Sequence, residues 1–179
     1  MIEVTPSCEL IRLKASRVPS GDAVTPQAQV ETLPTILDSL PAPRIRIYPK
    51  ETVVAEKFEA MVKLGIGNSR MKDFWDISYL IKEFEFGGEL LQTAIKATFA
   101  ARRTSMPRDL PLALTDDFAG NPLIISRWNA FIRRNRITSE TDLTALIENL
   151  REFFTPLIEA EKQNVVFTKS WANERKWRQ

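Results

Sequence analysis

A chain of 179 residues, 44% hydrophobic and 27% charged, has enough apolar surface for one domain with a real core and excludes wholesale disorder. Lys and Arg total 25 against 23 Asp and Glu, a net charge of +2 that is too balanced to mark a nucleic-acid binder by bulk charge. The lack of histidine excludes Ser-His-Asp and Cys-His catalysis, and the single cysteine, Cys8, excludes an internal disulfide and a cysteine-rich zinc site. Any metal must then be a hard ion such as Mg²⁺, held by oxygens. No apolar run has the length of a membrane span, and Met1-Ile2-Glu3 does not open a secretory signal, so the cytoplasm is the expected compartment.

In chain order, rough alternation over Cys8 to Ala15 predicts a strand, and Pro19-Ser20-Gly21-Asp22 a turn. Ile45 and Ile47 alternate with Arg44 and Arg46, which predicts a second short strand before Tyr48-Pro49. A helix is then expected from Lys50 to Leu64, stopped by Gly65. Another should start near Ser69 as N-cap and reach Glu83. Gly87-Gly88 breaks the chain before a third, from Glu89 to Arg102, and Pro107 and Pro111 mark a loop. Thr115 before Asp116-Asp117 reads as a capped helix start rather than a metal site. Asn121-Pro122 opens a helix through Trp128, Phe131 and Ile132, whose end carries Arg133, Arg134 and Arg136. Ser139 followed by Asp142 opens the last helix, with apolar spacing from Leu143 to Leu157 until Pro156 kinks or ends it. The expected class is α+β, mostly α-helical. A β segment spans residues 1–48, a bundle of about five helices residues 49–162, and a basic tail with Trp171 and Trp177 residues 163–179. The aromatic-basic mix of that tail is compatible with nucleic acid, though packed tryptophan with solvated charge is the commoner arrangement.

Certain charges fall on the apolar side of their helices. At about 100° per residue from Val53, an apolar arc runs from about 0° to about 180° and contains Lys57 at about 40°. Glu56, Glu59 and Lys63 fall opposite, on the expected solvated face. With Phe74 as origin of the next helix, Asp73 at about 260° and Arg70 at about 320° lie inside the apolar arc, with Asp76 at its edge and Lys72 outside. Arg70 and Asp73, three residues apart, can pair. Arg70 and Lys72 in a helix's first turn also suit a phosphate, since the dipole there disfavours cations on their own. A snorkelling or ion-paired Lys57 and a structural Arg–Asp bridge are the alternatives.

The stretch Tyr48-Pro49-Lys50-Glu51-Thr52-Val53-Val54-Ala55-Glu56-Lys57-Phe58-Glu59-Ala60-Met61-Val62 resembles the lysine-bearing motif of the AbiEii/AbiGii nucleotidyltransferase toxins. Asn68-Ser69-Arg70-Met71-Lys72-Asp73-Phe74-Trp75-Asp76-Ile77 resembles their Arg-x-Lys-Asp-x-x-Asp motif at a fitting distance. Weaker similarity reaches Thr98-Phe99, Arg103-Thr104, Pro107, Trp128, Phe131 and, upstream, Gly21-Asp22-Ala23-Val24-Thr25-Pro26. The resemblance implies a nucleotidyltransferase fold and a toxin of a toxin–antitoxin, abortive-infection or phage-defence system. It also implies use of a nucleoside triphosphate and Mg²⁺, with tRNA as one acceptor and a cognate antitoxin as partner. By position it makes Lys57 a triphosphate contact, Asp73 and Asp76 the polar centre, and Arg70 and Lys72 supports for phosphate or partner carboxylates; the helical wheel makes Asp73 the better candidate of the two. The family's Gly-Gly-Ser/Thr turn and metal-holding Asp-x-Asp are missing, and Arg17 stands where an acidic strand residue is expected. Phosphoryl transfer of this kind needs those carboxylates, so the expectation is a shortened member that does not catalyse alone. The competing readings are a non-catalytic helical module that binds an antitoxin or RNA, and a structural domain with a buried charge cluster.

Overall fold

The computed structural model describes residues 29–32, 44–137, 142–172 and 176–179. The expected strand over Cys8 to Ala15, the turn at Pro19, Arg17 and Ser139 lie outside the described residues. A short antiparallel pair joins β1 (Gln29–Thr32) to β2 (Arg44–Ile47), with Gln29 opposite Ile47 and Thr32 opposite Arg44. The strand expected at Ile45 and Ile47 is therefore present, and β1 is its unforeseen partner. Six α-helices follow among the described residues, so the fold is α+β and mostly helical: α1 (Lys50–Leu64), α2 (Met71–Glu83), α3 (Gly88–Ala101), α4 (Asp116–Ala119), α5 (Pro122–Arg134) and α6 (Leu143–Lys162). None of them is long and apolar enough to cross a membrane.

The caps explain most of the helix boundaries. Gly65 ends α1 with a left-handed φ of 48°, a conformation that costs glycine little. Thr115 accepts the Phe118 N–H, Asn121 the Leu123 N–H and Asp142 the Ala145 N–H, each at the mouth of its helix. Ser69 does not cap α2. The helix starts at Met71, and Asn68 Oδ1 instead takes the Arg70 N–H at 2.8 Å. Pro156 does not end α6, which continues to Lys162. Proline removes one hydrogen bond there, but buried Phe153, Phe154, Leu157 and Ile158 hold the helix on both sides of it. Leu64 at the end of α1 and Phe84 just past α2 are exposed.

Helix α1 packs chiefly on α3, and α2 crosses α6. The Phe58 ring stacks on Phe154 with centroids 4.0 Å apart and tilts against Phe99 at 5.7 Å. The C-terminal segment belongs to the same core. Strand β3 (Phe86–Gly87) pairs with β4 (Ser170–Ala172), which pairs with β5 (Lys176–Arg178). Trp171 is buried and donates its indole N–H to the Ile81 carbonyl at 2.7 Å, and Trp177 donates to Phe153 at 2.9 Å. Both tryptophans are packed, while Lys169, Lys176 and Arg178 stay exposed.

Helices α3, α5 and α6 close in the same way. The residue two past each helix has a left-handed backbone: Arg103 (φ 52°), Arg136 (φ 52°) and Asn164 (φ 54°). The following N–H then reaches back to a last-turn carbonyl, as in Ile137 to Ile132 at 3.2 Å and Val165 to Ala160 at 2.9 Å. Arginine pays for this conformation with Cβ–carbonyl crowding of about 1–2 kcal/mol. The exposed Arg136 is therefore a site where Arg136→Gly raises stability by about 0.5–1 kcal/mol, the steric relief being partly offset by the freer unfolded chain. Urea denaturation checks this, and a loss of stability would show that the Arg136 side chain has a structural role.

Candidate functional site

Lys57 sits on α1, and Asp73 and Asp76 sit on adjoining α2. The Lys57 ammonium lies 2.7 Å from Asp73 Oδ1 and 2.8 Å from Asp76 Oδ2. Lys72, one turn before Asp76, donates to its two oxygens at 2.7 and 2.6 Å. The Lys57, Asp73 and Asp76 side chains are 20%, 15% and 22% exposed, whereas that of Lys72 is 66% exposed. Two cations and two carboxylates thus form a neutral cluster at the lip of the helical body. An ammonium has three N–H donors. Two of those on Lys57 are used by the aspartates, which leaves one not committed to them.

The cluster brings together four of the five residues singled out in the sequence. Arg70 is the exception. It precedes the helix, its side chain is exposed and has no ion-pair partner among the described residues. The Arg70–Asp73 bridge, one of the two alternatives that spacing allowed, does not form, because Lys57 from the neighbouring helix occupies Asp73. Asp76, placed at the edge of the stripe, is as fully engaged as Asp73.

Burial by itself would pull the Lys57 pKa down, since it disfavours the charged form. The charge of Asp73 and the hydrogen bonds to Asp73 and Asp76 outweigh it and hold the pKa above its ordinary value of 10.5. The stabilisation tied to this shift is fully present below pH 10.5 and is lost only as the pH climbs through the higher folded-state value. Lys57→Met strands Asp73 and is expected to cost about 1–3 kcal/mol, less than a fully buried pair because water reaches the cluster. The deficit relative to the unmutated chain should hold steady from pH 7 to pH 9 and narrow above pH 10.5. Chemical denaturation across that range checks it, and a deficit that grows with pH would contradict the assignment.

A second charge cluster was not legible from α1 alone. Glu59, expected on a solvated face with Glu56 and Lys63, has a side chain only 2% exposed. Arg102, just after α3, donates to Glu59 Oε2 at 3.0 Å and to the Glu56 carbonyl at 3.3 Å. The Thr104 hydroxyl donates to the other Glu59 oxygen. The face is covered because α1 packs on α3 there as well as on α2 elsewhere. Sequence reasoning also missed Arg127, which donates from one Nη1 to the Ile66 and Asn68 carbonyls, both at 3.0 Å.

The described residues do not fit a divalent cation. A hard ion needs several free oxygen ligands, and no group of three or more Asp, Glu, Cys or His among them is placed to hold one. Ammonium groups already sit against Asp73 and Asp76. Lys57, Lys72 and the exposed Arg70 carry N–H donors of the kind that meet phosphate oxygens.

Neither the comparison with curated proteins nor that with solved structures gave a match. The family model for the nucleotidyl transferase AbiEii toxin of type IV toxin–antitoxin systems matches residues 10–166, a span that includes α1, α2 and the whole charge cluster. The chain belongs to the AbiEii nucleotidyl transferase toxin family.

Proposed function

We propose that these 179 residues supply the triphosphate-binding cations of a nucleotidyltransferase-type toxin and, by themselves, bind a nucleoside triphosphate without transferring it. The observation that carries this reading is Lys57, held by two aspartates at 2.7 and 2.8 Å with an N–H to spare. The aspartates fix the ammonium's position, so little ordering entropy remains to be lost when a phosphate oxygen arrives. Lys72 and Arg70, on the first turn of α2 and just before it, add charge where helix N–H groups also favour anions. A bound triphosphate would supply the activated phosphoryl group for transfer. Among the described residues no group of carboxylates is placed to hold a metal against it, and the sequence has no Asp-x-Asp.

The acceptor in this reading is an RNA such as tRNA, and a cognate antitoxin is the expected counterpart of a toxin in this family. Arg133, Arg134 and Arg136 are exposed at the end of α5 with no acidic partner among the described residues. They could meet an RNA backbone by charge.

The test is calorimetry of the purified chain with ATP, alongside incubation with labelled nucleoside triphosphates, Mg²⁺ and tRNA. ATP is expected to bind, Lys57→Met to weaken it at least about tenfold as a lost charged hydrogen bond would, and no label to reach tRNA. Absence of ATP binding would remove the triphosphate reading. Label on the tRNA would show that the chain carries its own catalytic carboxylates.

A further inference from the structure

Core packing seats α2 as a whole, but its first turns, which carry Asp73 and Asp76, also hang on the link from α1, and that link has few hydrogen bonds of its own. Gly65, in a left-handed conformation, and Gly67 both lie in it. Its internal bonds are few: the Asn68 N–H to the Gly65 carbonyl at 3.1 Å, and the Arg70 N–H to Asn68 Oδ1 at 2.8 Å. Further restraint comes from packing on the Leu112–Leu114 turn and from hydrogen bonds with α5. Both protons of Arg127 Nη1 are spent on this link, one on the Ile66 carbonyl and one on the Asn68 carbonyl, each at 3.0 Å. The next residue, Trp128, is buried and lies against Trp75, which sits between Asp73 and Asp76 in α2. Two consecutive residues of α5 therefore grip the entrance and the first turns of the helix that carries both carboxylates.

We propose that Arg127 is a positioning residue for the charge cluster: it pins the α1–α2 link so that Asp73 and Asp76 meet Lys57. A guanidinium suits the task because its planar fork presents protons in fixed directions and stays charged at any working pH. The pin is a charge-assisted pair of bonds to backbone oxygens. It touches neither Lys57 nor a ligand, so it acts only through the placement of α2. Its consequence for ATP affinity rests on the triphosphate reading above, while its consequence for the cluster does not.

The experiment uses the full chain as wild type, Arg127→Met and, as a control, Arg108→Met, whose arginine is exposed and unpartnered among the described residues. Two quantities are read at neutral pH: the Lys57 Nζ–H cross-peak, visible only while salt-bridging slows its exchange with water, and the ATP affinity by calorimetry. Arg127→Met keeps the aliphatic stem, and it is expected to lose the cross-peak and to bind ATP about tenfold more weakly, the scale of coupling between neighbouring groups. Arg108→Met should match wild type in both. A cross-peak retained in the Arg127 variant, or absent from wild type, overturns the proposal whatever the affinity does. A cross-peak lost in a series where not even wild type binds ATP upholds the positioning role and removes the triphosphate reading instead. Should Arg127→Met not fold, Arg127→Lys, which cannot hold the same two-proton geometry, decides the point by the same cross-peak.

Discussion

Gly88→Ala is expected to destabilise the chain by about 3 kcal/mol or more, at the upper end of what overpacking costs. A methyl group at this position would stand 2.5 Å from the Lys169 carbonyl oxygen, 2.5 Å from the Phe167 ring and 2.6 Å from the Phe167 carbonyl oxygen. Two of those three are backbone atoms and cannot rotate aside. Backing away would also break the 2.8 Å bond from the Gly88 N–H to Lys169, and with it the seam that seats Phe167 and Trp171 in the core. Gly87→Ala is the matched control: nothing lies within 4 Å of the added carbon there, so a change within about 1 kcal/mol is expected for an N-cap glycine. Thermal unfolding of the two variants decides it, with a drop of roughly 10 °C for the first at this chain length. Equal midpoints would mean that the C-terminal segment does not seat against α3 as described.

Glu59→Ala should cost about 3–5 kcal/mol, because it leaves the Arg102 guanidinium without its main partner between α1 and α3. The Thr104 hydroxyl loses its acceptor at the same time. Arg102 retains Glu56 at 3.4 Å, which moderates the loss. Glu59→Gln keeps an acceptor and a similar volume, and is expected to lose about half as much, the part due to charge. Urea titrations with an unchanged slope would show that the effect lies in the folded state. A loss under about 1 kcal/mol in Glu59→Ala would mean that water reaches the cluster and shares the work, as at a surface pair.

The difference between Lys57 and Glu59 shows how far the sequence could be read. Both lie on α1, and a single helical wheel assumes one buried stripe. Lys57 fell inside that stripe and was therefore conspicuous. Glu59 fell outside it because α1 is covered on two sides, and its partners lie more than forty residues away, at Arg102 and Thr104. Helix period says nothing about a second neighbour. The same limit explains Arg70 and Asp73: three-residue spacing allows a pair, but a lysine from another helix won the carboxylate. Arg127 was invisible for a different reason. Its acceptors are backbone carbonyls of Ile66 and Asn68, and every residue has one, so no pattern of residue types marks the contact. Boundaries set by local chemistry were the most legible, as Asn121-Pro122 and Asp142 show. Pro156 reads as a kink or a stop, and the helix runs on through it because packing on either side exceeds the one lost bond. The family motifs pointed to the cluster more sharply than the wheels did, since they included Asp76, which a wheel left at the margin.

The pairing of β3 with β4 joins segments far apart in the chain, and the Trp171 indole reaches back 90 residues to Ile81. During synthesis at roughly 5–20 residues per second, Phe86 and the carbonyl of Ile81 must wait several seconds for their partners to leave the ribosome. Helices α1 to α3 can form early from local contacts, but the apolar floor beneath them stays open to water until Trp171 emerges. The seam around Ile81 and Phe86 therefore closes only after the segment bearing Trp171 has followed, leaving an interval in which the partial core is open to capture by chaperones or proteases.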